Sequence, residues 1–164
     1  MAARDDTPPP NSIQAAIRQT KPFRSVAQEA TIGLMLTTEA MRWRFHEAFA
    51  EADLTLQQYN VLRILRGAGK DGLPTLDIAE RMIERTPGIT RMIDRLEKKG
   101  LAERRRSTED RRQVLCHLTP EGRKLVNSLD RPVDRLDDEV MGVLSASEQK
   151  QFIRLLNKIR LGLD

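Results

Sequence analysis

The chain has one cysteine, Cys116, and two histidines, His46 and His117. A single thiol cannot close an internal disulfide, and two imidazoles so far apart do not make a metal-ligand set, so neither a disulfide scaffold nor a zinc module fits. No run approaches the roughly eighteen apolar residues of a membrane span. The opening residues, MAARDDTPPPNS, carry neither an apolar core nor an Arg-rich amphipathic pattern, so a cytoplasmic protein with no membrane partner is expected. Also missing are a nucleophile with a base, paired acids in an apolar setting and a cofactor loop, so we expect no enzyme, no catalytic residue, no cofactor and no metal. The segment GAGKDG faintly suggests a phosphate loop. Ile64 stands where its first glycine would be and no Ser or Thr follows Lys70, which leaves a helix stop and turn.

What is present is an ordinary globular composition of 39% hydrophobic and 32% charged residues over 164 positions. That is enough for one domain, or for a small domain with an oligomerisation element. The net charge is only +4, but its placement is uneven. Arg85 to Arg112 holds ten basic and five acidic residues, a net of +5, so the remainder is close to neutral at −1. Clustered cations on adjacent elements are the footprint of a surface that meets a polyanion, nucleic acid being the commonest; the plainer alternative is a solvated charged face.

Along the chain, residues 1–22 read as a largely flexible tail, with a short helix from Ile13 to Thr20. From about Phe23 to Ala52, Val26, Ala30, Leu34, Thr37, Met41, Phe45 and Ala48 form one apolar stripe of a long helix, and Ile32, Met35, Leu36, Trp43 and His46 form a second. A helix apolar on two sides needs two partners, and in so short a chain a second subunit is a plausible one. Thr55-Leu-Gln-Gln58 is a capping box that opens another helix ending at Gly67 and Gly69. At the far end, Thr119-Pro120 starts a helix bearing Leu125, Leu129, Val133, Leu136 and Val140, with a kink expected at Pro132. Ser145-x-x-Glu148 caps a last amphipathic helix with Phe152, Leu155, Leu156, Ile159 and Leu163. These helices have nowhere else to pack. Burying roughly 1,000 Å² per side at about 25 cal/mol per Å² would make a permanent dimer.

Between these lie two short helices. Thr75 is expected to cap the first, with Leu76, Ile78, Ala79, Met82 and Ile83 inward. Thr86-Pro87 offers an N-cap and a first-turn proline for the second, which stops at Gly100. Ile89, Met92, Ile93 and Leu96 fall on one side of it, leaving Gly88, Thr90, Arg91, Asp94, Arg95 and Lys98 outward. That is the outline of a helix-turn-helix, in which Arg91 and Arg95 have the planar fork that suits guanine; their alternative role is pairing with Asp94 or Glu97. Leu101–Arg105 and Gln113–Leu118 read as strands of a hairpin, a wing, whose tip RRRSTEDRRQ gathers Arg104, Arg105, Arg106, Arg111 and Arg112. Beside a phosphate backbone or in a minor groove, their mutual repulsion becomes attraction. Asp110 is placed to orient the Arg112 guanidinium through a bidentate bond.

The run RTPGITRMIDRLEKKGLAERRRSTEDRRQVLCHLTPEG, together with LTLQQYNVLRIL, resembles the MarR family of winged-helix transcriptional regulators over about residues 23–163. The resemblance implies a mainly α fold with a small β-hairpin wing, a winged helix-turn-helix lobe over 55–118 and a helical dimerisation region over 23–54 and 119–164. It implies a homodimer on a pseudo-palindromic double-stranded operator, with Thr86, Pro87, Gly88, Thr90, Arg91, Arg95 and Lys98 of the recognition helix in the major groove. The wing, with Arg106, Asp110, Arg111 and Arg112, would lie on the minor groove, Arg112 matching the family's minor-groove arginine. Similar proteins usually repress and are released by small aromatic or lipophilic acids, so Met35, Met41, Arg42, Trp43, His46 and Tyr59 become candidate pocket residues; ordinary dimer packing is the alternative for Trp43 and the methionines. Cys116, on a strand with apolar neighbours, reads as a buried thiol. Another class stays open: a winged helix that binds DNA without strong sequence preference, or that serves protein contacts.

Overall fold

The structure, a computed structural model, describes residues 9–84, 88–107, 110 and 112–163. Its elements are α1 (Ile13–Ala16), α2 (Val26–Ala50), α3 (Leu56–Ala68), β1 (Leu73–Pro74), α4 (Thr75–Arg81), α5 (Ile89–Lys98), β2 (Ala102–Arg106), β3 (Val114–Leu118), α6 (Pro120–Met141) and α7 (Ala146–Leu161). By its internal contacts the chain divides within α2, after Trp43.

In the first unit, Ser12 caps α1 by accepting the Ala15 N–H. A Cβ at Gly33 of α2 would stand 2.5 Å from the Ile13 Cδ1, so the short helix lies directly on the glycine. Ser25 starts α2 by accepting the Gln28 N–H at 3.1 Å, while the Gln28 side chain accepts the Arg24 N–H at 2.9 Å. These reciprocal bonds satisfy N–H groups that no helical carbonyl can reach. Val26, Met35 and Trp43 are exposed along α2, so this part of the helix presents apolar side chains to solvent.

The second unit begins at Arg44 and contains the core. Phe49 of α2, Val61, Leu62 and Leu65 of α3, Ile78 of α4, Ile93 and Leu96 of α5, Cys116 and Leu118 of β3, and Val126 and Leu129 of α6 are buried together. The capping box expected at Thr55 and Gln58 is formed in both directions, and Gly69, at φ 68°, follows the end of α3. The sheet is antiparallel in the order β1-β3-β2, with β3 in the middle. Ala102 lies opposite Leu118 and Arg106 opposite Val114, which fixes the wing register. Leu73 and Pro74 pair with Cys116 and Leu115, so the expected hairpin gains a third strand.

Thr75 does not cap α4 as expected. Pro74 occupies the cap position, and the Thr75 hydroxyl lies 3.8 Å from the Cys116 Sγ, because the β1 pairing turns it toward the sheet. Leu76 of α4 and Ile83, which lies past the helix end at Arg81, are 75% and 82% exposed although expected inward; on α4 Ile78 is the buried residue, since a helix of two turns offers the core only one narrow face.

Thr119 caps α6, which continues through Pro132, and Gly122 lets its first turn approach the wing. A Cβ at Gly122 would collide with the Leu101 carbonyl oxygen and lie 2.8 Å from Leu118 Cδ1. The second capping box, Ser145 with Glu148, opens α7, and Gln149 Nε2 donates to the Met141 and Leu144 carbonyls at the turn before it. No residue of α7 is buried, and Ile153, Leu155 and Ile159 stay exposed on it.

Candidate nucleic-acid interface

The core fixes which side of α5 remains outside. Ile93 and Leu96 are fully buried, and Ile89 and Met92 pack partly against them. On an α-helix that leaves Thr90, Arg91, Arg95 and Lys98 on the solvent side, where all four are exposed. Gly88 precedes the helix at φ 98°, a left-handed conformation that side-chain-bearing residues avoid. Thr86 and Pro87, expected to begin this helix, lie outside the described residues, as does Arg111 of the wing.

Asp94 and Glu97 sit among these cations and could neutralise them. They are instead taken by the wing. Arg104 Nη1 on β2 bonds Asp94 Oδ1 at 2.7 Å and also bonds Glu97 Oε2, while its Nη2 donates to the Thr90 carbonyl at 3.2 Å. The Arg104 backbone N–H adds a bond to Glu97 Oε1 at 2.8 Å. Partial burial alone would lower the guanidinium's pKa, but the Asp94 hydrogen bond and the two negative charges raise it above its ordinary value. Among the described residues no side-chain ion pair or hydrogen bond engages Arg91, Arg95 or Lys98. The alternative role of Arg91 and Arg95, pairing with Asp94 or Glu97, is therefore not the one observed.

At the wing tip, hydrogen bonds tie the described residues together. Ser107 N–H donates to the Gln113 carbonyl and Gln113 N–H to the Asp110 carbonyl, both at 2.9 Å. Asp110 N–H donates to Ser107 Oγ at 3.2 Å, and Asp110 Oδ1 accepts the Arg112 backbone N–H at 2.9 Å. The expected bidentate bond from Asp110 to the Arg112 guanidinium is thus replaced by a bond to its main chain; a short Asp side chain two residues upstream reaches the backbone more readily than the end of an arginine. Arg106 and Arg112 are exposed. Of the five arginines gathered in the wing, Arg104 turns back to α5 and Arg105 pairs with Glu103. Sequence periodicity placed Arg104 on a strand but could not show that its partners lie on the preceding helix.

The candidate pocket residues separate. Met35, Met41, Arg42 and Trp43 belong to the first unit, where Met35 and Trp43 are exposed and Arg42 Nε lies 3.7 Å from Glu39. Tyr59 is buried in the second, its ring 4.3 Å from that of Phe49 with the Arg63 guanidinium 5.9 Å from its centre; burial raises its phenol pKa above the ordinary value. His46 borders an open groove of about 610 Å³ lined also by Ala50, Asp53, Leu54, Thr55, Gln58, Arg95, Lys98 and Lys99. The groove lies within the second unit, and Lys99 is held there at 2.8 Å from the Asp53 carboxylate. Sequence reading missed it because its cations come from the end of the same helix that was read only for DNA.

Cys116 is buried as expected. Burial raises its thiol pKa above the ordinary value, a stronger influence than the neighbouring Thr75 hydroxyl, which lowers it.

Among the described residues, α5 thus carries cations without ion-pair partners on its outer face and is joined to a basic wing through Arg104. The sequence model of the MarR family matches residues 54–114. The HTH-type transcriptional regulator FarR of Neisseria gonorrhoeae is 32% identical over 146 residues, covering 87% of this chain and 99% of FarR. The chain belongs to the MarR family. A MarR transcription factor from Planctomyces limnophilus has a crystal structure that is 41% identical in sequence, with a TM-score of 0.64, over 83% of this chain and 98% of the other. The crystal structure of an S. aureus MepR–DNA complex is 26% identical, with a TM-score of 0.73, over 80% of this chain and 96% of that one. The MarR-family relatives are transcriptional regulators rather than enzymes. Among the described residues no helix is long and apolar enough to cross a membrane.

Proposed function

We propose that this MarR-family protein is a sequence-specific double-stranded-DNA-binding regulator, acting as a ligand-responsive repressor and as a homodimer on a pseudo-palindromic operator. The observation that carries this reading is that, among the described residues, Arg91, Arg95 and Lys98 have no ion-pair partner on the outer face of α5, while Asp94 and Glu97 are occupied by Arg104. Cations left without internal partners beside an exposed wing are suited to phosphates and base edges. The MepR–DNA complex, similar in fold, supports the same reading. Thr90, Arg91 and Arg95 would read bases, with Lys98 on phosphate; Arg106 and Arg112 would serve the minor groove and its edges. Thr86, Pro87, Gly88, Asp110 and Arg111 would complete the two contact segments.

The homodimer is supported by the exposed apolar residues of α2 and α7, a segment that would extend the dimerisation region over 23–54 and 119–164. An organic acid as releasing ligand is supported by the groove beside Arg95 and Lys98, where cations stand next to the apolar Ala50 and Leu54. A cytoplasmic site of action follows from the same reading.

Footprinting on the DNA upstream of its own gene, followed by a salt titration on that duplex and on a scrambled one, tests the proposal. A preference of about 10³ or more for the footprinted site is expected, and Arg91→Ala should relax it by about 1 to 3 kcal/mol. Equal affinity for both duplexes at every salt concentration would leave only a non-specific DNA-coating role.

A further inference from the structure

Three consecutive arginines, Arg104 to Arg106, lie on β2, and Arg104 is the one that is partly buried. Arg104 lies at the middle of the strand, opposite Cys116 of the central strand β3. Its guanidinium spans Asp94, Glu97 and the Thr90 carbonyl on α5, and its main-chain N–H reaches Glu97 as well. The side chain is 25% exposed, and its two carboxylate partners are themselves partly covered. A planar fork that bonds a carboxylate, a second carboxylate and a carbonyl at once sets both distance and orientation between the elements it joins.

We propose that Arg104 is a positioning residue for DNA binding: without touching DNA, it fixes the wing relative to α5 and withdraws Asp94 and Glu97 from the face that carries Arg91 and Arg95. The inference rests on the DNA-binding reading above. Two contact segments that enter different grooves bind together only when their separation is set beforehand, because an unfixed wing must be ordered on binding. Lysine cannot replace this residue. A single ammonium is a point charge without the fork, and it cannot bond Asp94, Glu97 and the Thr90 carbonyl from one rigid group.

The test is a double-mutant cycle on the full chain, read as the dissociation constant for the footprinted duplex by fluorescence anisotropy at fixed salt, with a thermal melt of every variant. In the native background Arg112→Ala is expected to weaken binding at least tenfold. In an Arg104→Lys background the same change should cost less than about threefold, because a wing no longer held in place has already lost its contribution. Asp94→Asn combined with Glu97→Gln keeps Arg104 and makes the surface more positive. Positioning requires that this pair also shrink the Arg112 effect, whereas a purely electrostatic role for Arg104 would make binding tighter with the Arg112 effect intact. An Arg112→Ala cost that is the same in all three backgrounds, within about twofold, overturns the inference and leaves DNA binding standing. If Arg112→Ala costs nothing in the native chain, the wing contact fails and the inference with it. The carboxamide pair retains every arginine, so it carries the test if Arg104→Lys does not fold.

Discussion

Raising the salt concentration is the perturbation whose effect can be worked most directly from the surface. Among the described residues, the outer face of α5 and the wing offer Arg91, Arg95, Lys98, Arg106 and Arg112 without an ion pair, which makes ten cations in a homodimer. If about six to ten of them lie close enough to the duplex to displace its condensed counterions, from the grooves as well as from the phosphates, the logarithm of affinity should fall with the logarithm of salt at a slope of roughly −5 to −9. Between about 50 and 200 mM salt the affinity would drop by about 10³ to 10⁵. Lys98→Gln removes one contact per subunit, and so should make the slope shallower by about 1.8 in the dimer. Anisotropy titrations on a labelled operator at five salt concentrations measure both slopes. A native slope shallower than about −3, or one that Lys98→Gln leaves unchanged, refutes the assignment of these side chains to the duplex.

Gly122→Ala places a methyl group against the Leu101 carbonyl, a main-chain atom that cannot move aside cheaply, and should cost about 1 to 3 kcal/mol, seen as a melting temperature lower by several degrees; an unchanged melt would contradict the close docking of α6 on the wing. Cys116 should resist iodoacetamide in the native chain at pH 8 and react once the chain is denatured, and equal rates would place the thiol outside the core. Because burial raises its pKa, the folded state keeps the thiol proton that the unfolded state loses near pH 8.5, so stability should decline above that pH and less steeply in Cys116→Ala. Deleting residues 145–164 should give insoluble or monomeric protein that no longer binds DNA, and a soluble truncation that still shifts DNA as a dimer would remove α7 from the proposed interface.

Much of this arrangement was legible in the sequence because its signals are local. Thr55 with Gln58 and Ser145 with Glu148 are reciprocal caps three residues apart, and both formed as their spacing required. The inward set Ile93 and Leu96 followed from helical period and determined the outer set without further information. What escaped depends on partners distant in the chain. The strand Leu73–Pro74 is two residues long and contains a proline, so no alternation marks it; only pairing with Leu115 and Cys116 makes it a strand. That pairing in turn displaced Thr75 from its expected cap. Leu76 and Ile83 look apolar enough for a core, yet the two-turn α4 has no second face to bury Leu76 on, and Ile83 lies past its end.

The same distinction separates net charge from usable charge. Counted by sequence, Arg85 to Arg112 carries five acids against ten bases, and the acids would be expected to dilute the field. In the fold, Asp94 and Glu97 are bound by Arg104 and Glu103 by Arg105, while Lys99 reaches Asp53, so the pairs are settled internally. What remains outward on α5 and the wing is mostly cation, and one arginine placed behind the surface accounts for much of that. Removing a paired charge and removing an unpaired one should therefore have different consequences even though each changes the net charge by the same amount. Loss of Lys98 subtracts a cation from the surface, whereas loss of Arg104 releases two carboxylates onto it and unfastens the wing, so the second change should weaken DNA binding more than the first.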